Sequence, residues 1–305
     1  MVPISFDAKV SDDERRQRLY AGEIFIYSPT AAGNALCDFA REMTAAAFRP
    51  LDPRTAQHSL PVERFAAILA ELKPAFIHHP ESKRLIRELL AAVGCDPNVT
   101  YFDVPRLRTS TSHAFLTTGI AYAFHPHRDT WYSAPPCQLN WWLPLHDLSA
   151  DDGLGFHPSY WSRGVRNGSR RYNYAEWNRT SRHTAAVQIG EDTRDQPKPE
   201  EPMDVEAEIR PLCAPGGLVI FSAAQMHSSV PNTSGRTRLS VDFRTVNVRD
   251  VEEERGAANV DSECTGTTMG DYLRCRDLEH IPRALVERYE KGILAVSRPG
   301  PLSRR

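Results

Sequence analysis

The sharpest chemical signal in the chain is Phe124-His125-Pro126-His127-Arg128-Asp129. On extended backbone, residues two apart project to the same side. The imidazole of His127 and the carboxylate of Asp129 therefore converge on one point. One nitrogen and one oxygen ligand leave a metal ion with open positions. A further histidine completes the two-histidine, one-carboxylate face that suits non-haem Fe(II). His125 shares the parity of His127, with Pro126 between them as a point where a strand bends. His-x-Asp alone is a common spacing, so the reading depends on where a third ligand comes from.

A candidate for the third ligand, His227, stands 100 residues beyond His127. Gly216-Gly217-Leu218-Val219-Ile220-Phe221 reads as a turn and a buried strand, followed by Ser222-Ala223-Ala224-Gln225-Met226-His227. A turn-rich Pro231-Asn232-Thr233-Ser234-Gly235 then leads to a strand in which Leu239, Val241 and Phe243 alternate with Arg238, Ser240, Asp242 and Arg244. Period two puts the apolar set on one face and the polar set on the other, which points to a barrel enclosing a site. A hairpin at the turn would fold the Arg238 strand back beside the His227 strand. Arg238 and Ser240 would then line the metal's cavity, where a guanidinium fork with a hydroxyl suits bidentate capture of a carboxylate. Arg236 has the same parity and is the rival carboxylate binder.

His-x-Asp, a distal His and an Arg eleven residues beyond it in Arg-x-Ser together resemble the Fe(II)/2-oxoglutarate-dependent dioxygenases, closest to the phytanoyl-CoA dioxygenase-like branch. Trp142-Leu143-Pro144-Leu145-His146-Asp147 and Gly153-Leu154-Gly155-Phe156-His157-Pro158-Ser159 are similar to a strand and a turn of that branch. Tyr160-Trp161 departs from the Gly-Ser-His run often found there. The resemblance covers about residues 100–248. It implies a double-stranded β-helix, the jelly roll of cupin-like proteins, with helices packed outside it. It also implies His127, Asp129 and His227 as ligands and catalytic centre, and Arg238 and Ser240 on 2-oxoglutarate. Fe(II) would be the cofactor, 2-oxoglutarate and O2 the co-substrates, and succinate and CO2 products. A carboxylate at Asp129 favours hydroxylation or desaturation; related halogenases have a small residue there, which leaves room for chloride. Gln138 and Asn140, on the strand expected beside the ligands, are further candidates for 2-oxoglutarate. Trp131, Tyr132 and His157 are candidates for the substrate pocket.

The elements that position these groups divide the chain into three parts of one expected domain spanning 1–305. Residues 1–99 read as mostly helical, with a strand at 23–27, a helix after the Ser28-Pro29-Thr30 start signal, and helices near 61–72 and 82–93. Residues 100–248 read as short strands near 114–124, 138–145, 217–222 and 237–248, interrupted by an insertion at about 159–210. Residues 249–305 hold a helix near 281–294 and a Pro/Arg tail. The fold class is mainly β with flanking helices (α+β).

The insertion gives the expectation about substrate. Arg163, Arg166, Arg170, Arg171, Arg179 and Arg182 against Glu176 give +5 over 159–183, with Trp161, Tyr172, Tyr174 and Trp177 interleaved. Over the mouth of a barrel such a segment suits a small anionic or aromatic metabolite, with Arg163 and Arg166 as contacts. Residues 191–208, eight acids against two bases, offer the basic segment an alternative partner.

Composition excludes several other classes. Lys+Arg 37 against Asp+Glu 39 leaves −2, which argues against a nucleic-acid or polybasic membrane binder. No apolar run reaches bilayer length, and the start lacks a signal-peptide pattern. The six scattered cysteines read as thiols, as in a cytoplasmic protein. The sequence leaves oligomeric state open. Two other functions fit the same residues: a non-catalytic jelly roll binding metal or a small ligand, and an oxygenase acting on a macromolecule. Arg238 and Ser240 favour the enzyme, because a mere metal binder needs no carboxylate fork.

Overall fold

A computed structural model describes residues 2–290 except Glu206. Its helices are α1 (Asp12–Tyr20), α2 (Ala31–Phe48), α3 (Val62–His78), α4 (Pro80–Ala92), α5 (Tyr174–Thr180), α6 (Val248–Glu252) and α7 (Arg283–Tyr289). Its strands are β1 (Ile4–Phe6), β2 (Ile24–Tyr27), β3 (Thr100–Phe102), β4 (Arg106–Ser110), β5 (Leu139–Pro144), β6 (Leu154–Phe156), β7 (Leu218–Ser222), β8 (His227–Ser229), β9 (Arg238–Asn247) and β10 (Leu273–Arg274). None of the described helices is long and apolar enough to cross a membrane.

The larger sheet runs β1-β2-β7-β5-β9-β3-β10, with β4 also paired to β9. The long strand β9 holds it together, pairing antiparallel with β5 on one side and with β4 and β3 on the other. The smaller sheet is β6 with β8. It is extended by backbone bridges from Phe156 to Ile209 and from His227 to His127. Two facing sheets with helices outside are the mainly β, jelly-roll arrangement expected.

Side-chain parity assigns the two faces of the larger sheet. Trp141 and Leu143 of β5, Leu218 and Ile220 of β7, and Leu239, Val241 and Phe243 of β9 join one apolar core with Leu36, Phe65, Leu69 and Phe76 of the helices. Trp142, Val219 and Phe221 point the other way and pack with Phe156 of the smaller sheet. Strands covered on both faces carry near-continuous apolar runs, which is why β5 and β7 were readable. Thr30 caps α2 by accepting from the Gly33 N–H, so the Ser28-Pro29-Thr30 signal marks the start correctly.

Three expectations need correction. The run at 114–124 is not a strand: His113, Ala114 and Gly119 have φ of 54°, 55° and 57°, which breaks extended backbone. The strand on that side is β4, eight or so residues earlier, where Arg106 and Arg108 alternate with Leu107 and Thr109. Helix α3 continues past Pro74 to His78, seating Phe76 fully buried in the core. β8 and β9 do not form a hairpin. They belong to different sheets, and Arg238 and His227 line the same cavity from opposite sheets. The helix expected near 281–294 is α7 as far as Tyr289, and its remainder and the tail lie outside the described residues.

Candidate active site

The two sheets enclose a cavity of about 920 Å³. His127, Asp129 and His227 meet at its wall, their ligand atoms all within 4.8 Å of one another. His127 and His227 are held by reciprocal backbone hydrogen bonds, each N–H donating to the other's carbonyl at 2.9 Å. Asp129 opens a 3-10 turn, Asp129–Tyr132, just after the extended Arg128. The i, i+2 pair therefore converges at a strand end rather than within a continuous strand.

The donor set fits a metal ion. Nδ1 of His127 lies 2.9 Å from the His125 carbonyl, and Nδ1 of His227 lies 3.0 Å from the Gln225 carbonyl. A carbonyl only accepts, so each Nδ1 carries the proton and each Nε2 presents a lone pair. Both Nε2 atoms face Oδ1 of Asp129, at 3.4 and 3.9 Å. Burial pushes the His227 pKa down to about 3, with the neighbouring His127 adding to the shift. Burial works to raise the Asp129 pKa, but Arg244 and the two imidazoles outweigh it and hold the carboxyl well below the usual range. Neutral His227 and an ionised carboxylate are the forms that bind metal.

Across the cavity stands the inward face of β9. Arg238 is buried, donating from Nε to the Asp152 carbonyl at 3.1 Å and from Nη1 to Ser240 Oγ at 2.6 Å. Its guanidinium carbon lies 5.5 Å from the centre of the Trp142 ring. Burial lowers its pKa to about 10, so it stays charged at neutral pH. Arg236 is exposed in the connecting loop, away from the cavity.

The cavity contains a cation that no sequence motif marks. Lys73 of α3 reaches in and donates Nζ to the Ile120 carbonyl. Burial, reinforced by Arg108, lowers its pKa to about 7. The other cavity-lining cations, Arg106, Arg108, Arg182, Arg194 and Arg244, each lie within ion-pair distance of a carboxylate. Lys73 and Arg238 have no such partner among the described residues.

The remaining candidates divide sharply. Gln138 donates Nε2 to Asp129 Oδ2 at 3.1 Å and to Asn140 Oδ1 at 2.9 Å, so both sit beside the metal ligands. Tyr132 lines the cavity and packs edge-on to His127, with ring centres 5.4 Å apart. His157 lines it too, its Nε2 3.0 Å from Ser228 Oγ and its buried Nδ1 without a partner. Trp131 is fully buried in a separate cluster with Tyr160, Val165 and Met226, and donates its indole N–H to Asp261 at 2.7 Å. Arg163 and Arg166 are exposed, and neither is among the residues lining the cavity.

Other parts of the insertion do reach the cavity: Tyr172, Tyr174, Trp177, Arg182 and Arg194 line it. Thr118 Oγ1 donates to the Gln188 carbonyl at 2.7 Å, and the Gly119 N–H donates to Asp192 Oδ2 at 2.9 Å. A Cβ on Gly119 would sit 2.2 Å from the Ala185 carbonyl, so only glycine permits this close seating. The outer basic and acidic stretches pair with each other, Arg170 and Arg171 both meeting Glu200 at 2.8 Å.

Residues 26–240 match the family model described as Phytanoyl-CoA dioxygenase (PhyH). The chain belongs to the phytanoyl-CoA dioxygenase family. The family's Fe(II), 2-oxoglutarate and O2 fit the His127, Asp129 and His227 donor set. No curated protein matches. Among solved structures, the chain is similar to EvdO2 from Micromonospora carbonacea var. aurantiaca complexed with 2-oxoglutarate, at 13% identity over 79% of this chain and 93% of that one, with a TM-score of 0.44. A second EvdO2 structure matches at 15% identity over 57% of this chain and only 62% of that one, with a TM-score of 0.35. The epimerase SnoN from nogalamycin biosynthesis matches at 14% identity over 77% and 84%, with a TM-score of 0.37.

Proposed function

We propose that this phytanoyl-CoA dioxygenase family member is an Fe(II)- and 2-oxoglutarate-dependent oxygenase that hydroxylates an unactivated C–H of a small anionic metabolite. The observation that supports this most is the pairing, in one cavity, of a buried metal-ligand triad with a buried arginine that has no acidic partner among the described residues. His127, Asp129 and His227 would hold the iron, which would supply the O2 chemistry that couples decarboxylation of 2-oxoglutarate to succinate with oxidation of a substrate C–H.

The chain's own groups do the rest. Arg238, braced by Ser240 and Trp142, binds the far carboxylate of 2-oxoglutarate, with the Lys73 charge beside it. Unpartnered buried cations are costly, and a dianion completes them. Asp129 fills a ligand position with its carboxylate, which argues against halide transfer and for oxidation of a C–H such as hydroxylation. The substrate enters between Tyr122, Phe124, Tyr132 and the insertion, where Arg106 and Arg182 favour an anionic group. Trp177 there has a buried indole N–H without a partner, which a substrate oxygen can satisfy. Segment 172–196 covers the cavity and excludes water from it.

Succinate release across a panel of anionic and neutral small metabolites tests this reading. Stimulation above the substrate-free background by an anionic member supports it. Stimulation only by neutral compounds removes the anionic assignment.

A further inference from the structure

Iron held by three protein groups keeps three positions in octahedral geometry. On the 2-oxoglutarate reading above, the co-substrate chelates through two and oxygen takes the third. Asp129 can then give the metal only one oxygen, although a carboxylate is equally able to chelate with both. What occupies the second oxygen decides between these modes.

In this chain the two oxygens have separate surroundings. Oδ1 faces His127 and His227, at 3.4 and 3.9 Å from their Nε2 atoms. Oδ2 accepts from Gln138 Nε2 at 3.1 Å and lies 3.4 Å from Nε of Arg244. Both of these groups are themselves anchored. Arg244 Nη1 lies 3.3 Å from Oδ2 of Asp103, whose Oδ1 accepts the Arg244 backbone N–H at 2.7 Å. Asp103 is 1% exposed, so this brace is fixed within the protein. Gln138 is fully buried, and its Oε1 accepts from the Tyr272 hydroxyl at 2.8 Å.

We propose that Arg244, braced by Asp103, is a positioning residue that acts with Gln138 to keep Asp129 a one-oxygen ligand, and so reserves the coordination position that 2-oxoglutarate needs. The inference rests on the 2-oxoglutarate reading and assigns Arg244 a role distinct from that of Arg238. Both arginines point inward from β9, six residues apart, one toward the co-substrate carboxylate and the other toward the protein carboxylate.

The test uses full-length protein with Co(II) in place of iron, whose visible spectrum reports coordination. Arg244→Met, Arg244→Lys and Asp103→Asn are compared with wild type for thermal unfolding, Co(II) affinity and 2-oxoglutarate affinity. The expected result for Arg244→Met is an altered Co(II) spectrum before 2-oxoglutarate is added and 2-oxoglutarate binding weakened about tenfold or more, with Co(II) affinity falling far less because the freed second oxygen of Asp129 can also bind the metal. Asp103→Asn should move the same way, and Arg244→Lys, which keeps the charge but not the fork, should fall between. Wild-type spectrum and 2-oxoglutarate affinity in Arg244→Met would overturn the inference alone. So would a parallel loss of metal, co-substrate and folded protein in all three variants. Wild-type protein that binds Co(II) but never 2-oxoglutarate would overturn the parent reading along with it.

Discussion

His127 and His227 are each other's backbone partner. Their reciprocal N–H to carbonyl bonds at 2.9 Å bring rings from distant parts of the chain to a centroid separation of 4.3 Å. The same pairing joins the His-x-Asp turn to β8, so two of the three proposed metal ligands are tied to the smaller sheet. Replacing either histidine by alanine should weaken iron binding by at least ~100-fold, because the groups that merely support such ligands already contribute about 10–100-fold. Equilibrium metal binding measured on folded protein checks this.

Arg238→Leu should raise the 2-oxoglutarate requirement ~30-fold or more and leave iron affinity unchanged. Removing one member of a buried charge pair costs about 2–5 kcal/mol. Arg236→Leu, altering an exposed loop residue, should change neither. Comparing apparent KM for 2-oxoglutarate in the two variants decides which arginine is the fork.

Lys73 gives a pH signature. Burial lowers its pKa to about 7, with Arg108 and Arg238 also opposing the charge and Asp242 favouring it. Below that value the amine is charged and assists the dianion; above it the charge is lost. The apparent KM for 2-oxoglutarate should therefore rise as pH climbs through neutrality, and bound dianion should move the midpoint upward. Lys73→Met should show a raised, flatter profile. An unchanged profile in that variant would remove Lys73 from co-substrate binding.

Asp250 tests stability away from the site. It is 1% exposed and accepts from Arg16 Nε at 2.6 Å and from the Tyr20 hydroxyl at 2.8 Å, tying α1 to α6. Asp250→Ala leaves a buried guanidinium short of a partner, at a cost of about 3–5 kcal/mol. In a chain of this size that corresponds to a fall in Tm of roughly 10 °C, measurable by calorimetry, with the Co(II) spectrum preserved.

Trp177→Ala should raise KM for the metabolite found by succinate release about tenfold, equivalent to about 1.4 kcal/mol. The substrate-free rate should stay as it is. Steady-state kinetics in the two regimes separates a substrate contact from general damage to the cavity.

The parts legible in the sequence are those governed by local pattern. β9 declared both its faces through strict alternation, which set Arg238 inward; the triad was read from His-x-Asp and a distal histidine on other segments. Substrate contacts were less legible because three-dimensional packing chooses them. The Arg-rich run suggested Arg163 and Arg166, yet chain reversal turns these outward and brings Trp177 and Arg182 to the cavity instead. Lys73 lies between Leu72 and Pro74 on a helix, with no motif to mark it; only the packing of α3 beside β4 brings it inside. Arg244 was visible as an inward residue, but its partner Asp129 is remote in sequence and belongs to a different element. The expected strand at 114–124 failed because left-handed backbone at His113 and Ala114 depends on the loop's tertiary seat, not on residue type.

On the proposed function, one cavity holds Fe(II) on the triad and 2-oxoglutarate on Arg238. Visible spectroscopy of wild-type protein with Fe(II) and 2-oxoglutarate, without oxygen, reads that arrangement. The weak metal-to-ligand absorption of the chelate is expected in wild-type protein and absent in His127→Ala. No such band in wild-type protein, together with unchanged iron binding in His127→Ala, would contradict that arrangement.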